Sequence, residues 1–230
     1  MDGDEVVDAK RRAGSMAAEI VEDGQVIGLG TGSTVAYALE RLSERIIGGL
    51  RCSGVPTSIQ TAQRARALGI PLTTLDDHAV LDVAIDGADQ VDSRFRLIKG
   101  GGAAHTREKC VADVAGKLVI VVDQSKIVET LSAPVPVEVL PFAVPLVLRS
   151  LSGMGGQPAI REGTRKDGPV ITDNGNIVID CAFGEILDPA TLEAKIQCLP
   201  GVLSCGIFSQ YTEKTVVICG EPGRARVLSR

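Results

Sequence analysis

Three clusters of glycine and polar residues each follow a short apolar run in this sequence. The first is GLGTGST from Gly28 to Thr34, the second is DGAD from Asp86 to Asp89, and the third is KGGG from Lys99 to Gly102. If each apolar run is a strand of one parallel sheet, the clusters meet at its carboxyl edge, where ligands bind in open α/β sheets. Such a site would combine carboxylates, a lysine and exposed backbone amides.

The first cluster is suited to binding an anion, because its small residues precede a predicted helix. Backbone N–H groups and the hydroxyls of Ser33 and Thr34 could hold a phosphate at the helix N-terminus. The alternative is a plain strand–helix turn that Ser33 caps. The cluster is not a dinucleotide fingerprint, since Ser33 replaces the third glycine of G-x-G-x-x-G and no acid follows the next predicted strand. It is not a nucleotide phosphate loop either, since no Gly-Lys-Ser/Thr follows.

The second and third clusters, with the residues after them, supply groups for acid–base chemistry. Asp86 and Asp89 are a pair of acids after a strand, which taken alone is more often a solvated turn. Lys99 precedes three glycines that let the backbone approach a ligand closely. Glu108 falls in the first turns of the next predicted helix, where it could simply complement the helix dipole. Lys126 could be an ordinary surface residue, so the shared position at strand ends is what favours a site.

The segments that must position these clusters alternate between strand and helix over the first 130 residues. Residues at helical spacing alternate with short Val/Ile/Leu runs, and glycines or polar turns separate them. This alternation is typical of βαβ units and a parallel sheet. The sequence predicts helices at 6–21, from about 35 to the glycines at 48–49, at 58–68 and at 104–114, and strands at 26–29, 50–55, 71–75, 81–85, 95–98 and 118–122.

The pattern changes after residue 130. Four prolines fall within 132–145, and the turn Asp173-Asn174-Gly175 predicts a hairpin. We therefore predict an α/β fold with a Rossmann-like, largely parallel sheet flanked by helices, formed by 1–130 plus 206–230, and a second, smaller α+β domain at 131–205. In this region the sequence predicts helices near 143–151 and from Asp188, and strands near 159–161, 169–172, 176–180, 202–208 and 215–219.

Composition excludes several classes of function. The 230 residues hold 24 Lys+Arg against 29 Asp+Glu, a formal net charge of −5, with no Trp, 2 Tyr and 4 Phe. The core must therefore be aliphatic, and single-stranded nucleic acid, which is normally bound on several aromatic platforms, is not expected as a partner. The acidic balance also argues against a large phosphate-backbone footprint.

We expect a cytoplasmic protein without a membrane segment or a metal. No apolar run approaches the roughly 18 residues that cross a bilayer, and no signal-peptide core follows the charged first residues. The six cysteines form no C-x-x-C pair, which favours buried reduced thiols over disulfides or zinc. Of the two histidines, His78 is predicted to be exposed and His105 to be a polar loop or helix-start residue.

The motifs GLGTGST, DGADQVD, LIKGGGAAHTREK and DQSK resemble, in order and spacing, those of type A ribose-5-phosphate isomerase. The resemblance continues through TDNGN at 172–176 and LPGV at 199–202, so it covers nearly the whole chain. It implies a Rossmann-like domain bearing a smaller α+β domain. It also implies interconversion of ribose 5-phosphate and ribulose 5-phosphate in the pentose phosphate pathway, without metal or organic cofactor, by a homodimer or homotetramer.

The resemblance also implies roles for single residues. Glu108 falls on the family's catalytic base, which moves a proton between C1 and C2 through an enediol. Asp86 and Asp89 fall on acids that assist ring opening and proton transfer at the oxygens, and Lys99 on the cation thought to stabilise the oxyanion. The basic run 10–12 could also reach the phosphate, but it aligns more loosely with the family and is left out. The implied substrate-binding positions are Thr31, Gly32, Ser33, Thr34, Asp86, Gly87, Ala88, Asp89, Lys99, Gly100, Gly101, Gly102 and Lys126.

Two other classes of function remain as alternatives. One is a phosphosugar-binding sensor module of the same fold, which would normally carry an attached helix-turn-helix that we do not expect here. The other is a different enzyme on this fold, such as an amino-sugar phosphate deaminase or a CoA transferase. Retention of Glu108 together with Asp86, Asp89 and Lys99 favours the isomerase. Gln90 and Gln124 stand where many members of the family carry acids, but neither is a catalytic position.

Overall fold

A six-stranded sheet, parallel except at one edge, forms the centre of the protein in the computed structural model, which describes residues 3–229. Five strands run parallel and the sixth pairs antiparallel at the edge. With helices between successive parallel strands, the arrangement is Rossmann-like and confirms the predicted fold class. In spatial order the strands are β13 (Arg224–Val227), β12 (Thr215–Glu221), β6 (Ala115–Asp123), β3 (Leu81–Asp86), β1 (Val26–Leu29) and β2 (Ser53–Pro56).

Helices cover both faces of this sheet, because the side chains of its strands alternate between two apolar clusters. On β6, Val119 and Val121 belong to one cluster, and Leu118 and Ile120 belong to the other. The buried residues of the first cluster are all aliphatic, as predicted, whereas the second cluster also contains Phe95, Phe208 and Tyr211. The first cluster includes residues of α1 (Gly3–Ala18), α2 (Ser33–Ile47) and α3 (Ile59–Ala67), and the second includes residues of α4 (His105–Val114).

A separate antiparallel sheet of four strands is built from the later part of the chain. A third apolar cluster packs two helices against it, α5 (Val144–Gly153) and α6 (Pro189–Gln197). The side chain of Asp188 accepts a hydrogen bond from the N–H of Thr191, which explains why α6 begins where it was predicted. In spatial order the strands are β10 (Val202–Cys205), β7 (Val135–Val139), β9 (Ile177–Ala182) and β8 (Gln157–Ile160).

A small three-stranded sheet carries site residues at its ends, and its strands come from two separate parts of the chain, two of them between β3 and β6 and one after β10. It consists of β11 (Ile207–Phe208), β5 (Leu97–Ile98) and β4 (Gln90–Val91), all antiparallel. Lys99 directly follows β5, and its N–H donates to the carbonyl of Gly206, 2.8 Å away. The division into a Rossmann-like domain and a smaller domain, with boundaries at residues 130 and 205, stays a prediction.

Two of the predicted strands need correction, and one strand of the structure was not predicted. Residues 71–75 form only an isolated bridge, between Leu72 and Gly54, because the chain turns away at once through the Thr74–Asp77 hydrogen bond. Residues 169–172 likewise make only isolated bridges. The antiparallel edge strand β13 was not predicted, because its sequence RARV lacks a clear apolar face and its pairing follows from the turn at Gly223.

Burial of the cysteines and of one histidine was only partly predicted. All six cysteines are free thiols, but Cys110 and Cys198 are exposed because they lie at outward positions in or after helices. His105 begins α4 as expected, yet it is completely buried rather than lying in a polar surface loop. Within residues 3–229, no helix is long and apolar enough to cross a membrane.

Candidate active site

A cavity of about 180 Å³ opens at the carboxyl ends of β1, β3 and β6. Because these strands are parallel neighbours, the loops that follow them converge at one edge of the sheet. Every residue proposed for substrate binding lines the cavity except Asp86, which lies beneath it. The lining residues predicted from sequence are Thr31, Gly32, Ser33, Thr34, Gly87, Ala88, Asp89, Lys99, Gly100, Gly101, Gly102, Glu108 and Lys126.

Lys99 is the centre of a buried ion cluster at the floor of this cavity. Its ammonium lies 3.0 Å from Asp86 Oδ2 and 3.0 Å from Glu108 Oε2, and it donates a hydrogen bond of 2.6 Å to the carbonyl of Gly87. The side chains of Lys99, Asp86 and Glu108 are at most 5% exposed. One cation therefore faces two carboxylates where little water can screen them.

Backbone groups hold Asp86 at the end of β3. Its Oδ1 accepts hydrogen bonds from the N–H of Gly87 at 2.8 Å and from the N–H of Thr31 at 3.1 Å. A Cβ at residue 30 would lie 2.2 Å from this oxygen, so only glycine fits there. The glycine in the first cluster thus lets the loop after β1 approach the acid after β3.

The cluster shifts the pKa of Glu108 upward and that of Lys99 upward as well. Burial is the largest cause for Glu108, and the charge of Asp86 adds to it, whereas Lys99 acts in the opposite direction. For Lys99, burial disfavours the charged form, but the two carboxylates outweigh it and raise its pKa. At neutral pH the site therefore holds a cation beside a carboxyl group that is a stronger base than an exposed glutamate.

Asp89 lies above this cluster and contacts the glycine loop, which comprises Gly100 to Gly102. Its Oδ2 accepts a hydrogen bond of 2.8 Å from the N–H of Gly101. Gly100 has a φ of 101°, a backbone conformation that favours glycine, and an added Cβ would lie 2.7 Å from His105 Nδ1. The loop can therefore pass between Asp89 and α4 only because it lacks side chains.

The other end of the cavity is suited to an anion. Ser33, Thr34 and Val35 of the first turn of α2 line it, so the positive end of the helix dipole faces the cavity. Gly32, not Ser33, is the N-cap residue, and no side chain caps the helix. The alternative that Ser33 only caps the helix is therefore wrong.

Lys10 lines the cavity although it was not among the predicted site residues. Its ammonium donates to Ser33 Oγ at 3.1 Å, which brings α1 to the start of α2. The basic run was visible, but nothing local showed which of its residues points to a loop 23 positions away. Lys126 is a further cation of the lining besides Lys10 and Lys99, whereas Gln90 and Gln124 do not contribute to it.

His105 and Thr31 support the site without supplying catalytic chemistry. Burial lowers the pKa of His105 to about 4, so the ring is neutral at pH 7, and its Nε2 lies 3.3 Å from the carbonyl oxygen of Ser204. The hydroxyl of Thr31 is held by those of Thr57, Ser58 and Thr61. These contacts fix the start of α4 and the loop after β1.

A base, a cation and an acid around a small cavity with an anion-binding end can isomerise a phosphorylated sugar. A general base removes a proton beside the carbonyl, and a cation stabilises the oxyanion that forms. Among residues 3–229, no group of three His, Cys, Asp or Glu side chains is placed to hold a metal ion.

Comparison with known proteins points to one family. Residues 53–223 match the family described as ribose 5-phosphate isomerase A (phosphoriboisomerase A). The chain is 60% identical over 226 residues to the ribose-5-phosphate isomerase A of Methanoregula boonei, covering 98% of this chain and 95% of that protein. The structure of ribose 5-phosphate isomerase A from Methanocaldococcus jannaschii is 45% identical, with a TM-score of 0.92 over 97% of this chain and 99% of that one. A D-ribose-5-phosphate isomerase in complex with phospho-erythronic acid is 42% identical, with a TM-score of 0.94 over 100% of both chains.

Proposed function

The chain belongs to the ribose 5-phosphate isomerase A family, and we propose that its buried Glu108 is the base of the isomerase reaction. The protein is an aldose–ketose isomerase that interconverts D-ribose 5-phosphate and D-ribulose 5-phosphate, a reaction of the pentose phosphate pathway. Glu108 lines the cavity 3.0 Å from the ammonium of Lys99, in surroundings that raise its pKa. This geometry is the observation that carries the proposal, because a base is most effective when its pKa lies near the working pH.

In the proposed mechanism Glu108 removes the proton from C2 of open-chain ribose 5-phosphate and returns it to C1. The electrons of the broken C–H bond form the C1=C2 bond, and charge develops on the oxygen of C1 until it takes a proton. Loss of the proton from the oxygen of C2 and protonation of C1 then give the ketose. The intermediate between the two sugars is an enediol.

Lys99 and the two aspartates act on the oxygens in this mechanism. The ammonium of Lys99 stabilises the developing oxyanion, and the low exposure of the site strengthens this interaction. Asp86 keeps that ammonium in place through its contact of 3.0 Å. Asp89, at the cavity wall, assists ring opening and carries protons between the oxygens.

The phosphate of the substrate binds at the opposite end of the cavity. The first turn of α2 offers N–H groups and the hydroxyls of Ser33 and Thr34, and Lys10 and Lys126 supply positive charge. The complex of a relative with phospho-erythronic acid supports a sugar phosphate as the class of ligand. That acid carries a phosphate at one end and a carboxylate, which resembles an enediolate, at the other.

A substitution that preserves shape tests the assignment of the base. Glu108→Gln should lower kcat by about 10²- to 10⁴-fold, because it removes proton transfer and leaves the cavity intact. The rate is measured by the absorbance of the ketose formed from ribose 5-phosphate. Binding of phospho-erythronic acid, measured by calorimetry, should persist, and Glu185→Gln on the surface is the matched control. Full activity of Glu108→Gln would exclude Glu108 as the base.

Assembly, location and metal independence are further parts of the proposal. We propose a homodimer or homotetramer in the cytoplasm that needs no metal, because the family resemblance implies these properties. Light scattering after size-exclusion chromatography measures the assembly, and a monomer would contradict it.

A further inference from the structure

The glycine loop of the active site is held from outside by an arginine of the antiparallel sheet. Arg161 follows β8, and its Nη1 donates to the carbonyl of Gly100 at 2.9 Å and to that of Gly101 at 3.1 Å. Its backbone N–H donates to the carbonyl of Val178 on β9, and its carbonyl accepts from the N–H of Val170. The contact therefore links the smaller sheet to the loop that carries Lys99.

Asp180 aims the guanidinium of Arg161 at the loop. On β9, its Oδ2 accepts from Arg161 Nε at 2.7 Å and its Oδ1 from Nη2 at 2.5 Å. Two parallel hydrogen bonds of this kind fix the plane of the guanidinium as well as its position. The remaining nitrogen, Nη1, is the one that reaches the carbonyls of Gly100 and Gly101.

Peptide geometry connects these carbonyls to the active site. In a planar trans peptide the C=O and the following N–H point in opposite directions. With the oxygens of Gly100 and Gly101 on Arg161, the N–H groups of Gly101 and Gly102 must point to the other side of the loop. The N–H of Gly101 indeed donates to Asp89 Oδ2 at 2.8 Å.

Glycine peptides need such a restraint more than others do. Without a Cβ, glycine occupies both signs of φ with similar ease, so a run of three can rotate its peptides at little cost. A rotated peptide would place a carbonyl oxygen where the N–H now meets Asp89. A carbonyl there would repel the carboxylate and the oxyanion of the substrate.

We propose that Arg161 is a positioning residue for the isomerase reaction, which orients the peptides of the glycine loop toward Asp89 and the substrate. The inference rests on the proposed function of Asp89 and Lys99. Arg161 does not line the cavity, so it acts through the loop and not by touching substrate. Asp180 serves the same purpose by holding Arg161.

The expected effect falls mainly on the chemical step. Arg161→Met should lower kcat by about 10- to 100-fold, because small displacements of catalytic groups carry penalties of this order. KM should change by less than threefold, since the phosphate end of the cavity is untouched. Arg161→Lys should recover part of the loss, and Asp180→Asn should show a weaker loss of the same kind. Arg149→Met, at an exposed position on α5, is the control.

A double-mutant cycle distinguishes positioning from a merely structural role. If Arg161 acts through Gly101 and Asp89, Arg161→Met should have at most a third of its effect on kcat when Asp89→Asn is already present. Unchanged kcat in Arg161→Met, or additive losses in the cycle, would overturn the proposal. If Arg161→Met does not fold, Arg161→Lys and Asp180→Asn take its place in the same cycle.

Parallel variants distinguish failure of this inference from failure of the proposed function. Loss of activity in Glu108→Gln with full activity in Arg161→Met overturns only the role of Arg161. Full activity in Glu108→Gln overturns the catalytic assignment on which the inference rests.

Discussion

Removal of the buried cation is the strongest perturbation of the proposed chemistry. Lys99→Met keeps most of the side-chain volume but leaves Asp86 and Glu108 without the ammonium that lies 3.0 Å from each. At this distance and an effective dielectric constant of about 20, each ion pair has a gross Coulomb energy of about 5 kcal/mol. Water that enters the cluster in the variant will solvate the two carboxylates and offset much of this energy. The measured change will therefore be only part of it.

The loss of the ion pair between Lys99 and Glu108 should shift the pH profile of activity. Lys99 lowers the pKa of Glu108 against the effects of burial and of Asp86, so its removal must raise that pKa further. We expect the acidic limb of kcat/KM to move to higher pH by at least about one unit, which corresponds to about 1.4 kcal/mol. We expect kcat on the alkaline plateau to fall by about 10²- to 10³-fold, because the oxyanion loses its cation.

Stability should change with pH in the same variant. A carboxyl group whose pKa is raised by folding favours the folded state below its unfolded pKa of about 4.5, and this contribution is lost as pH rises through the folded pKa. Lys99→Met should therefore lose stability toward alkaline pH over a wider range than the wild type. Urea unfolding at several pH values measures this loss.

Two controls complete the experiment. Lys117→Met removes an exposed lysine on β6 and should leave the profile in place. Lys99→Arg keeps the charge, so its acidic limb should stay near that of the wild type even if its kcat falls. An acidic limb of Lys99→Met that stays in place, or moves to lower pH, would refute the reasoning.

Four further predictions concern the active site, the stability of the fold and the need for a metal. Lys10→Met should raise KM for ribose 5-phosphate by about tenfold with little change in kcat, because it removes a positive charge at the phosphate end of the cavity. A fall in kcat without a rise in KM, in steady-state kinetics, would contradict this role. Gly30→Ala should lower kcat by at least tenfold and reduce the Tm, since its Cβ would lie 2.2 Å from Asp86 Oδ1; an unchanged Tm and kcat would contradict this packing. Burial disfavours the charge of Glu138, but hydrogen bonds from Thr172, Asn174 and Asn176 lower the pKa of its carboxyl group. The ionised carboxylate therefore stabilises the fold above pH 4.5, and this contribution is lost as pH falls. In Glu138→Gln, the free energy of unfolding measured in urea should depend less on pH in the acidic range. Incubation with EDTA should leave turnover unchanged, and a loss restored by a divalent metal would disprove metal independence.

Much of the fold follows from local patterns of apolar residues. The runs at 26–29, 81–85 and 118–122 are strands in the structure, because strands buried on both faces require continuous Val, Ile and Leu. Edge elements were less predictable. The strand β13 and the bridge at Leu72 depend on which neighbour offers free backbone groups, and sequence patterns carry little information about that.

The residues of the site were predictable as a set, because each cluster follows a strand of a parallel sheet. Lys10 and Arg161 were not found as site residues in this way. Each contacts the site from a distant segment, across 23 positions to Ser33 and across about 60 to the glycine loop. No local pattern marks a side chain whose function depends on such a contact.

The sequence by itself determined the chemical groups of this protein and the edge of the sheet where they gather. Side-chain types and the spacing of the strands were sufficient for that, since parallel strands bring their carboxyl ends together. Only the tertiary structure decided that Lys99 faces both Asp86 and Glu108 in a buried cluster. The pKa of Glu108 depends on burial and on charges within a few ångströms, and packing between segments distant in the chain sets both.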